Sequence, residues 1–133
     1  MNPKYQRGIA TVEFALILPV LFVVLFGAIE IGLVTYNKQV IVNASREGAR
    51  AAIVKNCDID RIKDDVSAYC TGNLINLAEA NTAGSVHTAI ADPDAENRRQ
   101  VTVSYDYTFL SAPLINGDPA RITITGVTVM GME

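Results

Sequence analysis

Hydrophobic and polar positions fall into three regimes along the 133-residue chain. From Phe14 to Ile29 every residue is apolar, Gly or Pro, sixteen in succession. Admitting Thr11, Glu13 and Glu30 extends the run from Ile9 to Val34, 26 residues. As a helix that is roughly 39 Å, ample to cross a hydrocarbon core of about 30 Å. Pro19 removes one intrahelical donor and crowds the carbonyl of Ala15, which loosens the helix locally and is tolerated in membrane helices.

Past the apolar run the pattern becomes helical and amphipathic. Tyr36 to Val54 contains no Pro and one Gly, Gly48. Val40, Ala44, Gly48 and Ala51/Ala52 share one stripe, and its small residues let another backbone come close. Arg46, Glu47 and Arg50 flank it, with Glu47 and Arg50 spaced to pair at i and i+3. One helix is expected from about Ala10 to Lys55. A second, short helix follows, with Asp58 as N-cap, Ile59, Ile62, Val66 and Tyr69 as its apolar stripe, and Gly72 as its stop.

The last third alternates with period two. Val101 to Phe109 places apolar or aromatic residues at odd positions and polar ones at even, the mark of a half-buried strand. Arg121 to Met130 is a second strand, whose apolar phase flips between Ile122/Ile124 and Val127/Val129. The flip predicts a bulge at Gly126. Asn116-Gly117-Asp118-Pro119 supplies a turn before it. Val86 to Ile90 reads as a weaker strand ended by Asp92-Pro93-Asp94, and Glu96 to Gln100 as a polar hairpin tip. The fold class expected is α+β, a long helix, a short helix and about three antiparallel strands with one wet face. The boundaries expected are 1–8 as a leader, 9–36 as the membrane half of the helix and 37–133 as an extracytoplasmic domain.

Charge refines this picture. Lys4 and Arg7 are the only charges before the span, and basic flanks stay cytoplasmic. The net charge of −3 and the lack of aromatic–basic interleaving give no sign of nucleic-acid binding. A cleaved secretory signal would need small residues before its cut, and the best site, after Ala28, puts Phe26 at −3. Glu30 lies roughly 26 Å along the helix from Glu13, near the outer interface, where water would solvate it. Glu13 has no such exit. An unpaired carboxylate inside a bilayer costs several kcal/mol, so it needs a partner.

Catalytic and metal chemistry find little support. His87 is the only histidine, so a triad or a His-rich site would have to run through it. The glycines Gly8, Gly27, Gly32 and Gly48 lie along a helix and make no phosphate loop. The acidic run from Asp58 places Lys63 and Tyr69 where a calcium loop needs Gly and Glu. No enzyme, cofactor, metal or small-molecule substrate is expected. Cys57 and Cys70 would meet an oxidising compartment if exported. A helix between them would hold them roughly 18–20 Å apart, whereas a disulfide needs Cα atoms about 4.4–6.8 Å apart. The segment bends, the bond is intermolecular, or there is none.

Two blocks carry a family resemblance. Gly8-Ile9-Ala10-Thr11-Val12-Glu13-Phe14-Ala15-Leu16-Ile17-Leu18-Pro19 resembles the start of the TadE-like family, pilin-like (pseudopilin) proteins of tight-adherence (Tad/Flp) type IVb pilus systems. Ala44-Ser45-Arg46-Glu47-Gly48-Ala49-Arg50-Ala51-Ala52 resembles that family's second hallmark, at the far end of the same helix. The resemblance implies a prepilin peptidase that cuts between Gly8 and Ile9, and a new ammonium at Ile9 that pairs with Glu13. It further implies register set by Glu13, Phe14 and Pro19, helix packing through Ala44, Gly48 and Arg50, and partnership with other pilin-like subunits and the Tad assembly platform. Phe14 stands where Flp-type major pilins usually carry Tyr. Major Flp pilins are barely more than the helix, so a folded C-terminal domain implies a minor component in the inner membrane or the fibre. The alternative is a non-cleaved single-span protein with an outer binding domain.

Overall fold

A computed structural model describes residues 3–54, 57–78, 85–111 and 117–131, with side chains from Gly8 onward. Helix α1 runs from Pro3 to Ala52, unbroken through Pro19. It therefore starts earlier than the pattern suggests, and Lys55, its expected end, lies outside the described residues. Its first half is bare. Leu16 is 73 % exposed and Val20 64 %, and large apolar side chains stay exposed through Ile29 and, beyond the buried Glu30, again at Ile31. The mean hydropathy of its most apolar window is 2.7, and by length and composition α1 can cross a membrane. Contact with the rest of the chain begins at Glu30.

The end of α1 is secured from outside. The Arg99 guanidinium donates to the Ala52 carbonyl at 3.0 Å. A cation there satisfies an orphan carbonyl and opposes the negative end of the helix dipole. Helix α2 spans Ile59–Asn73. Asp58 caps it as the sequence predicts, with Oδ1 accepting from the Asp60 and Arg61 amides. Its buried stripe is Ile62, Val66 and Cys70. Tyr69, expected on that stripe, is 43 % exposed. Cys70 sits at the i+4 position from Val66 and takes the place instead.

Three antiparallel strands follow in sequence order, β1 Val86–Ile90, β2 Arg98–Thr108 and β3 Arg121–Gly131. The α+β architecture is the one expected from the sequence. Two details differ. The β1–β2 connection is tighter than the expected Glu96–Gln100 tip, because Asp94 organises it. Asp94 Oδ1 accepts from the amides of Glu96 and Arg98 at 3.0 and 2.8 Å, and Asn97 takes a left-handed φ of 58°. These amides, together with the Arg98 guanidinium, hold the Asp94 carboxyl below its usual range.

The second difference is at Gly126. Pairing of β2 with β3 runs without interruption from Arg98 opposite Gly131 to Thr108 opposite Arg121, with Gly126 opposite Val103. No bulge interrupts it. Ile124, Gly126, Thr128 and Met130 face inward, while Val127 and Val129 stay on the outer face at 54 % and 50 % exposure. The glycine serves a close approach instead, since a Cβ there would stand 2.9 Å from the carbonyl oxygen of Ile41. The turn before β3 keeps Gly117 at φ +78°, a glycine conformation, whereas Asn116 lies outside the described residues.

The core lies between the outer half of α1, α2 and the inner face of the sheet. Val101, Val103, Tyr105 and Tyr107 of β2 are fully buried there with Ile41, Ala49 and Ala52 of α1. Tyr107 and Phe109 meet edge to face, their ring centroids 5.4 Å apart. Such contacts add about 0.5–1.5 kcal/mol beyond area burial.

Candidate functional site

The chemistry-bearing residues concentrate on α1, at three levels. At its bare end, Gly8, Ile9, Val12 and Glu13 line a shallow apolar depression. Ile9, Phe14 and Glu13 are exposed. Among the described residues, no cation lies within ion-pair distance of the Glu13 carboxylate. Pro19 lies in the same bare segment.

The middle level is the junction between bare helix and domain. Glu30 is buried, 6 % exposed, rather than solvated at an interface as the sequence reading has it. Its Oε1 accepts the Ser111 amide at 2.8 Å and its Oε2 the Ser111 hydroxyl at 2.5 Å. Charge-assisted bonds of this kind are about twice as strong as neutral ones. Glu30 is close enough to Tyr107 to raise the phenol's pKa, second to the effect of burial itself.

Three further side chains of α1 extend this row of ties. The buried Asn37 donates through Nδ2 to the Ile75 carbonyl at 2.7 Å, and its Oδ1 accepts the Ile75 amide at 3.0 Å. One side-chain amide thus pairs a backbone residue as a neighbouring strand would. Lys38 Nζ donates to the Thr125 carbonyl on β3. Ser45 shares a 2.8 Å hydroxyl contact with Thr128 and donates to the Val42 carbonyl. Sequence reasoning missed Glu30, Asn37 and Ser45 as domain anchors. The available signal was the stripe itself, which continues back from Val40 through Asn37, Leu33/Val34 and Glu30 at spacings of three and four.

At the upper level Ala44 and Gly48 are buried against α2 and β2. A Cβ on Gly48 would stand 2.9 Å from Val66 Cγ2 and 3.2 Å from Val101 Cγ1. Arg50 points to solvent, and the expected Glu47–Arg50 ion pair is not formed. Both residues border a groove with Asn43, Arg46, Tyr69 and Met130.

The cysteines are not brought together. Both thiols are free, Cys57 just before α2 and Cys70 near its far end. An unbroken helix excludes the bending that an intramolecular bridge requires. Cys57 is half-buried and accepts from Arg99 Nη1 at 3.0 Å. Cys70 is fully buried, and burial pushes its thiol up to about 11. Among the described residues, no group of three or more His, Cys, Asp or Glu is placed to hold a metal.

Comparison with known proteins adds one finding. Residues 8–50 match the model of a family described as TadE-like protein. The match begins at Gly8 and ends at Arg50, so it covers α1 almost to its C-terminus and none of the sheet. Over that helix the chain is similar to TadE-like proteins. Neither a curated protein nor a solved structure matches the chain.

Proposed function

We propose that this chain, TadE-like along its first helix, is a minor pilin or pseudopilin of a Tad (Flp) pilus assembly and secretion system. It is made as a precursor anchored in the inner membrane, with residues 1–8 cytoplasmic and the α+β domain outside. A prepilin peptidase cuts between Gly8 and Ile9, and the product serves pilus biogenesis, surface adherence and biofilm formation. Its partners are the peptidase, other pilin-like subunits and the assembly platform.

The observation that carries this reading is the isolation of Gly8 and Glu13. Among the described residues, nothing lies within 4 Å of where a Cβ on Gly8 would stand. The fold itself has no use for glycine there, although glycine costs a helix about 1 kcal/mol relative to alanine. Gly27 and Gly32 of the same helix are equally clear of contacts, so what sets Gly8 apart is its place after Lys4 and Arg7 and five positions before Glu13, where a peptidase that accepts no side chain supplies the reason. The cut also creates an ammonium at Ile9, one helical turn before Glu13. In low dielectric, the carboxylate of the same or a neighbouring subunit strongly favours such a partner over remaining unpaired. The folded domain beyond the helix suits a minor component better than a fibre shaft.

Mass spectrometry of the protein from its native host tests the reading, with a chain that begins at Ile9 as the expected result. Because Gly8 touches nothing among the described residues, Gly8→Ala leaves the fold intact while it blocks processing. Retention of Met1 or Asn2 on all molecules, with the peptidase present, would leave a non-cleaved single-span protein instead.

A further inference from the structure

The β2–β3 end of the sheet stands at a level that the helix sets. Ser111, three residues past β2, is bonded to Glu30 through both its amide and its hydroxyl. Glu30 is the first buried residue after the exposed apolar segment. Segment Ile9–Ile29 is about 31 Å of helix, close to the thickness of a hydrocarbon core.

Strand β3 reaches the same level by an independent route. Its contacts with α1 rise together along both elements: Lys38 with Thr125, Ile41 with Gly126, and Ser45 with Thr128. β3 therefore runs in the direction of α1, and its first residues lie nearest Glu30. At about 3.3 Å per residue, Ile122 is about 10 Å below Thr125. Lys38 is about 12 Å above Glu30 along the helix. The two estimates put Ile122 within a few ångströms of the Glu30 level. The Phe109 amide donates to the Ala120 carbonyl at 3.0 Å, which holds the two strand ends together there.

Two apolar side chains at this end are exposed among the described residues. Leu110 lies between Phe109 and Ser111 and is 36 % exposed. Ile122 belongs to the inward-facing set of β3, yet it is 43 % exposed, whereas Ile124 two residues on is buried. Charged neighbours are Arg121 and Asp118, one of each sign, so charge gives the site no bias toward anionic over neutral lipid.

We propose that this strand end is a second, non-spanning membrane contact, in which Leu110 and Ile122 rest among the phospholipid headgroups of the outer leaflet beside α1. The proposal depends on α1 spanning the bilayer, because continuity with that span is what brings lipid to the strand end. The contact would hold the sheet upright against the membrane at two points and limit rotation of the domain about the helix axis.

The chain contains no Trp, so one introduced indole reports from one place. Full-length variants Leu21→Trp, Leu110→Trp, Ile122→Trp and Val129→Trp are reconstituted singly in phosphatidylcholine vesicles that contain lipids brominated at shallow or deep acyl positions. Position 21 lies in mid-span. Position 129 lies seven residues, about 23 Å, further along β3 than Ile122. The expected result is loss of most emission at positions 110 and 122 with shallow bromines, loss at 21 with deep bromines, and none at 129. Quenching at 21 without quenching at 110 and 122 overturns the second contact and leaves the spanning helix standing. Blue-shifted but unquenched emission at 110 and 122 means a protein surface covers them, which also overturns it. No quenching at 21 overturns the spanning helix and the contact with it.

Discussion

Glu30 and Ser111, 81 positions apart in the chain, are joined by two hydrogen bonds of 2.8 and 2.5 Å. The pair fixes where the apolar helix stops being bare and where the sheet begins. An acidic residue at the end of the bare apolar stretch thus serves as an internal anchor.

Glu30→Ala removes both acceptors and strands the Ser111 amide in a part-buried site. A buried group left unpaired costs about 1–3 kcal/mol, more when the lost partner is charged. Denaturant unfolding in detergent micelles should show destabilisation in that range, and limited proteolysis should cut after Leu110 sooner than in the parent. Glu30→Gln keeps one acceptor and should lose less. Equal stability of Glu30→Ala and the parent would mean the tie contributes nothing.

Two glycines separate close approach to side chains from close approach to backbone. An alanine methyl at 48 meets Val66 and Val101, both side chains, and gains about 1 kcal/mol of helix propensity. At 126 it meets the Ile41 carbonyl, part of a packed helix that moves only as a unit. Overpacking typically costs about 1–3 kcal/mol. Gly126→Ala is therefore expected to lower the melting temperature more than Gly48→Ala, which should also fall below the parent, because Val66 and Val101 are buried, β-branched and slow to give way. The reverse order by thermal denaturation would contradict the packing described.

The cysteines should differ in reactivity. The Cys70 thiol is raised from 9.0 to about 11 by burial, so its thiolate is about 100-fold scarcer than an unperturbed one at pH 8. Iodoacetamide at pH 8 should label Cys57 alone in the folded protein and Cys70 only after unfolding, as read by peptide mass spectrometry. The linkage has a definite sign. A folded pKa above the unfolded value contributes stability that is present below pH 9 and lost as the pH rises toward 11. An unfolding titration across that window should show the decline, and Cys70→Ala should lessen it, leaving the part that the raised Tyr107 phenol contributes with the same sign.

Glu13→Gln tests the pairing at the bare end of α1. Without the charge the helix inserts at least as readily, so membrane levels should hold. Assembly should suffer, because a buried ion pair that loses one charge is destabilised by about 3–5 kcal/mol. Sheared-pilus yield from the native host is expected to drop at least about tenfold, since each 1.4 kcal/mol is a factor of ten. Normal yield would refute the pairing role.

The unbroken apolar run settled the bare helix, since length and hydropathy are local properties that no tertiary contact alters. Strict alternation from Val101 to Phe109 likewise marked β2 and its buried face, and the Asp58 cap marked the start of α2. The Gly8 and Ala44–Ala52 blocks were legible for the same reason, as short contiguous patterns. Tertiary structure decided whatever depends on distant partners. Nothing near Glu30 announces Ser111, and nothing near Asn37 announces the backbone of Ile75. Gly126 looked like a bulge because its role, to admit the carbonyl of Ile41, is written on another element. Tyr69 and Cys70 exchanged places because helical periodicity assigns a face only to within a residue. Local pattern specifies which side of an element is apolar, and only the assembled fold specifies what that side meets.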